Sequence, residues 1–112
     1  MTDWAVPATV SRVIDGDTVV VSADLGWHIS LTSSVRLYGV DCPELNTDEG
    51  KVARDFVKDL LPDGTPITLV SHKLLGATDK YGRVLGSITL PNGRDLSTVL
   101  LETGNAVPYP DS

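Results

Sequence analysis

The sequence predicts a mainly β domain with helices: a five-stranded OB-type Greek-key barrel with one central helix and a short C-terminal helix. Three observations carry this reading. β-Branched residues recur at period two in short segments cut by turn signals, one mid-chain segment changes to a helical period, and the period then returns to two. At 112 residues the chain is one domain, long enough to bury about two-thirds of its unfolded surface.

Thr9, Val10, Val13 and Ile14 form the first strand and Thr18–Val21 the second. Between them Asp15-Gly16-Asp17 is a tight acidic bend, in which Gly16 can take a positive φ. Leu25-Gly26 interrupts the pattern, Trp27 to Leu31 resumes it, and Thr32-Ser33-Ser34 separates that segment from a fourth, Val35 to Val40. Past Pro43, Val52, Ala53, Phe56, Val57, Leu60 and Leu61 recur at helical spacing. This helix opens after Asn46-Thr47-Asp48-Glu49 and stops at Pro62-Asp63-Gly64. Two further strands follow, Pro66–His72 and Val84–Leu90, the second ended by Pro91-Asn92-Gly93. A last helix from Asp95 or Leu96 to about Thr103 is capped by Asp95 and ended by Gly104. An SH3-like barrel is the nearest structural rival, but it does not usually carry so well-formed a helix in its middle.

With 41% hydrophobic and 21% charged residues, the composition excludes disordered, collagen-like and coiled-coil classes. The single cysteine, Cys42, can form no internal disulfide and cannot supply a multi-thiolate zinc site. No apolar run reaches the ~18–20 residues that cross a bilayer, and Met1-Thr2-Asp3-Trp4 lacks the order of a signal peptide. The expectation is a cytoplasmic protein as the sequence stands, or a secreted one if a leader has been removed. Nine Lys and Arg against fifteen Asp and Glu give a net charge of −6, which opposes nonspecific binding to nucleic acid. Several basic residues can still converge locally, because charge is screened over ~8 Å at physiological salt.

Three clusters gather polar groups at turns: Asp15-Gly16-Asp17-Thr18, then Arg36 to Glu44, then Asp79-Lys80-Tyr81-Gly82-Arg83. Carboxylates from two segments can hold a hard cation such as Ca²⁺, and guanidiniums beside it grip phosphate oxygens in a fork. Such a set suits phosphodiester cleavage: a cation to polarise the phosphoryl group, a carboxylate to take a proton from water, and fixed positive charge for the transition state.

These segments resemble the staphylococcal nuclease (thermonuclease) family. Ile14-Asp15-Gly16-Asp17-Thr18 is similar to its first metal-binding turn, and Val35-Arg36-Leu37 through Asp41-Cys42-Pro43-Glu44 to the segment bearing phosphate contact, second ligand and base. Asp79-Lys80-Tyr81-Gly82-Arg83-Val84-Leu85 looks like the third motif, and the likeness runs from about Val10 to Tyr109. The resemblance implies that Asp17, Asp41 and the main-chain carbonyl of Cys42 ligate Ca²⁺ and that Glu44 is the general base. It implies that Arg36 and Arg83 bind the phosphate, that Lys80 and Tyr81 contact a neighbouring phosphate or base, and that Tyr109 stacks on a base. The product would be a 3′-phosphate, from DNA or RNA, with single-stranded substrate preferred.

Two departures from the family stand out. The loop between Glu44 and the helix is short, so the mobile loop of the best-known member is mostly missing. The sequence stops three residues after Tyr109, before the family's usual final helix. The resulting expectation is a domain that covers the uncovered face by forming a homodimer or repacking its tail, and that Ca²⁺ with nucleotide stabilises.

Each motif also has a plainer reading. Asp-Gly-Asp alone is most often a hairpin turn, Arg36 a solvated strand residue, and Glu44 the start of a polar loop. Cys42 has no histidine nearby in sequence to make it a nucleophile. His28 and His72 read as strand residues, Trp4 and Trp27 as packing or edge residues, and Tyr81 and Tyr109 equally as barrel-rim residues. Two rivals of another class stay open: a non-catalytic OB module binding single strands, and a protein-interaction domain on a nuclease scaffold.

Overall fold

The structure is a computed structural model that describes residues 4–71 and 84–108. Its elements are β1 (Trp4–Asp15), β2 (Thr18–Asp24), β3 (Ser30–Leu37), β4 (Val40–Asp41), α1 (Asp48–Leu60), β5 (Pro66–Ser71), β6 (Val84–Thr89), α2 (Leu96–Glu102) and β7 (Val107–Pro108). Five strands close a barrel in the order β1-β2-β3-β6-β5, with β3 and β6 parallel and the other neighbours antiparallel. This is the predicted OB-type barrel with its two helices.

β1 closes the barrel because it is long enough to pair twice, through Trp4–Thr9 with β5 and through Ala8–Asp15 with β2. Its inward positions Val6, Ala8 and Val10 alternate with exposed Ala5, Pro7 and Thr9. Between Val10 and Arg12 the register shifts, an extra residue enters as a β-bulge, and Val13 rather than Arg12 becomes the next buried side chain. The first strand thus begins at Trp4, five residues before the expected start at Thr9.

The third and fourth predicted segments are one strand. β3 runs straight through Thr32-Ser33-Ser34, and every residue from Ser30 to Arg36 pairs with β2. The extended segment expected at Trp27 is instead a turn. Trp27 and His28 have φ of 56° and 60°, and Trp27 is 93% exposed, so it is not a packing residue. Val40–Asp41 leaves the barrel and pairs with Val107–Pro108.

α1 buries Ala53 and Val57 at four-residue spacing, with Leu61 next in the series; Val52, expected on that stripe, is 62% exposed. The helix packs against β1. Thr47 caps it, Asp48 and Glu49 occupy its first turn and Lys58 its last, each sign matching the helix dipole. α2 is capped by Asp95, as predicted, and buries Leu96 and Leu100 beside β6. Valines 10, 19, 21, 35 and 57 with Leu37, Leu61 and Ile88 make one continuous core. Among the described residues no helix is long and apolar enough to cross a membrane.

Candidate active site

The site is built where the β1–β2 turn meets the end of β3 and the chain beyond β4. Gly16 does not use the positive φ open to glycine. It is glycine for space: a Cβ there would lie 2.8 Å from Cys42 Sγ and 3.0 Å from Ala53 Cβ. The acidic turn is therefore pressed against both Cys42 and α1.

That approach lets Asp17 reach across the site. Its Oδ2 accepts from the Cys42 N–H at 3.0 Å and its Oδ1 from the Thr18 hydroxyl at 3.3 Å, while its carbonyl accepts from the Leu37 N–H at 2.9 Å. Arg36, from β3, is held by its own end of the strand: Nη1 donates to the carbonyls of Leu37 and Val40, both at 2.8 Å. Its Nη2 then lies 3.6 Å from Asp17 Oδ2 and 3.4 Å from Asp41 Oδ1. The side chains of Arg36 and Asp17 are each 12% exposed and that of Asp41 52%, so one open side remains. Two carboxylates from separate segments thus face one cationic centre.

Burial first, and then the hydrogen bond and charge of Asp17, push the Asp15 carboxyl from its ordinary 3.8 up to about 6. The folded state therefore favours protonated Asp15. Its contribution to stability is complete below the unfolded value and is lost as pH rises through about 6. Asp15→Asn is expected to flatten the loss of Tm between about pH 4 and pH 7, measured in chelator. Parallel slopes in the two proteins would contradict this. Cys42 is buried, and burial followed by the charges of Asp17 and Asp15 pushes its thiol up to about 12. It is a packing thiol rather than a nucleophile, so a thiol reagent at neutral pH should label the unfolded chain fast and the native one at the rate of unfolding.

The donors suit a hard cation. Asp17 and Asp41 offer carboxylate oxygens, and the main-chain carbonyl of Cys42 follows Asp41 directly. Among the described residues no three His, Cys, Asp or Glu side chains form a metal-holding group. An ion here would combine the two carboxylates with a carbonyl and water, which Ca²⁺ accepts because it takes about six to eight oxygen ligands in flexible geometry.

Glu44 is exposed, two residues past Cys42. Its carbonyl accepts from the Thr47 N–H at 3.0 Å and the Thr47 hydroxyl at 2.6 Å. Asp17, Arg36, Asp41 and Cys42 come together as one hydrogen-bonded group, with Glu44 close by along the chain. Lys80, Tyr81, Arg83 and Tyr109 lie outside the described residues, as does His72. Thr47 joins the site beyond the expected residues; the signal for it is a capping hydroxyl three residues after the candidate base.

The site thus brings Asp17 of the β1–β2 turn, Arg36 of β3 and Asp41 of β4 together on a closed five-stranded OB-type barrel. The chain belongs to the staphylococcal nuclease family: residues 34–111 match the family described as Staphylococcal nuclease homologue. It is similar to the endonuclease YhcR of Bacillus subtilis (strain 168), with 35% identity over 112 residues, 89% of this chain and 9% of that protein. It is also similar to an uncharacterized endonuclease of Escherichia coli and one of Escherichia coli O157:H7. Each is 31% identical over 100 residues, covering 89% of this chain and 59% of the relative. The chain thus spans less than two-thirds of the length of these relatives.

Proposed function

We propose that the chain is a Ca²⁺-dependent nuclease that hydrolyses phosphodiester bonds of DNA or RNA and leaves 3′-phosphate ends. The observation that carries this reading is the convergence of Asp17 and Asp41 on the Arg36 guanidinium, with Glu44 close by along the chain. Bound by Asp17, Asp41 and the Cys42 carbonyl, Ca²⁺ would supply positive charge for a non-bridging phosphate oxygen. Glu44 takes a proton from water as the water oxygen bonds to phosphorus. The bond from phosphorus to the 5′ oxygen breaks, and that oxygen leaves with the bonding pair and is protonated to a 5′-hydroxyl. Arg36, joined by Arg83, binds the phosphate oxygens and stabilises the charge that builds on them. Lys80, Tyr81 and Tyr109 bind the flanking nucleotide. Single-stranded substrate is preferred in this reading, since a base must leave its stack to meet Tyr81 or Tyr109.

The test is end-group analysis of single- and double-stranded DNA and RNA oligonucleotides across a calcium titration, then with chelator. The expected result is calcium-dependent cleavage to 5′-hydroxyl and 3′-phosphate ends. Ends of the opposite polarity would overturn the mechanism, and binding without cleavage at any calcium level would favour a non-catalytic OB module. Asp17→Asn and Asp41→Asn are expected to raise the calcium requirement, with part of the lost activity returning at higher calcium. A loss that calcium leaves unchanged would remove them from the ligand set.

A further inference from the structure

We propose that Thr47 and Gly50, at the start of α1, are positioning residues for Glu44. The proposal rests on Glu44 being the base. The Thr47 hydroxyl works in two directions: it donates to the Glu44 carbonyl at 2.6 Å and accepts from the Gly50 N–H at 3.0 Å. The Thr47 N–H adds a second bond to the same carbonyl at 3.0 Å. One residue thereby caps the helix and ties the Glu44 main chain to it.

Gly50 supplies the space. It is buried, and a Cβ there would overlap the Glu44 carbonyl group and come within 2.9 Å of the Pro43 carbonyl oxygen. The main chain at Pro43 and Glu44 therefore rests on the first turn of α1 with no side chain between. Glycine in a helix is unfavourable relative to alanine, so its presence here needs a reason such as this contact. α1 itself is fixed by Ala53 and Val57, which are fully buried. At the other end of the segment, Cys42 is bonded to Asp17 through its N–H. The stretch from Cys42 to Glu44 is thus held at both ends, by an acidic ligand candidate and by a helix cap. That sets where the Glu44 side chain leaves the main chain relative to the Asp17–Asp41 pair, in a segment that reaches the helix by a short connection.

The experiment compares Thr47→Val, Thr47→Ser, Gly50→Ala and Glu44→Gln in the full chain, on a short single-stranded oligonucleotide with calcium. Asp95→Ala, which removes the cap of the other helix, controls for lost stability. Thr47→Val and Gly50→Ala are expected to lower kcat by ~10–10²-fold with KM within about twofold of wild type, since misplacing a reacting group by an ångström costs on that order. Thr47→Ser should keep at least about half of the wild-type kcat, because its hydroxyl can make both bonds, and Asp95→Ala should keep all of it. Wild-type kcat in Thr47→Val, with Glu44→Gln impaired, would overturn the positioning role alone. So would equal losses in Thr47→Ser or Asp95→Ala. Full activity in Glu44→Gln, or no cleavage by the wild-type chain, would overturn the base assignment and this inference together. Should Gly50→Ala fail to fold, the Thr47 pair decides.

Discussion

Glu44→Gln is expected to lower kcat by ~10²-fold or more while KM for a short oligonucleotide changes little. The amide keeps the shape of the side chain and can still hydrogen-bond water, but it cannot accept the proton that hydrolysis releases. Because Glu44 is exposed and is tied down through its main chain, replacing the carboxylate removes no packing. The melting temperature should therefore stay near that of wild type, which separates chemistry from folding. A kinetic series at saturating calcium gives the answer, and undiminished kcat would sink the mechanism.

Arg36→Ala should have a second large effect, on stability as well as rate. The guanidinium donates to two main-chain carbonyls and faces both Asp17 and Asp41. Without it, Asp17 is a largely buried carboxylate lacking its counter-ion. Breaking such a pair by removing one partner costs ~3–5 kcal/mol. Activity should fall by ~10²–10³-fold, the usual result of deleting a donor to transition-state charge. Arg36→Lys should recover little of either, since one ammonium cannot reach the Leu37 and Val40 carbonyls and the carboxylates together. Denaturant unfolding in chelator checks the first part and oligonucleotide cleavage the second. Wild-type stability in Arg36→Ala would show that the buried pair is not a net tie.

Much of the barrel was legible because its signals are local. Val19 and Val21 alternate in a strand with a turn at its start, and Ala53 and Val57 repeat at helical spacing. The failures share a physical cause, which is pairing between distant segments. Nothing local shows that Trp4–Thr9 lies beside Pro66–Ser71. Thr32-Ser33-Ser34 looks like a break until β2 provides a partner for every residue of it. The acidic site was legible as residues but not as contacts. Asp17, Arg36 and Asp41 were singled out, while the bond from Cys42 N–H to Asp17 and the packing of Cys42 on Gly16 exist only in the folded chain. Gly16 shows the limit well: its identity was noticed, and its reason was not.

The double pairing of β1 also sets how the chain must fold. Its ladder to β5 and the parallel ladder between β3 and β6 each join residues separated by about half the sequence. Loop-closure entropy must be lost before either ladder rewards it, which places refolding in the millisecond-to-second range typical of non-local β topologies. The β1–β2–β3 meander, by contrast, is joined by short connections. During closure its outer strands present unpaired N–H and C=O groups that another chain can match. Refolding yield should consequently fall as protein concentration rises, with aggregation competing against the final closing of the barrel.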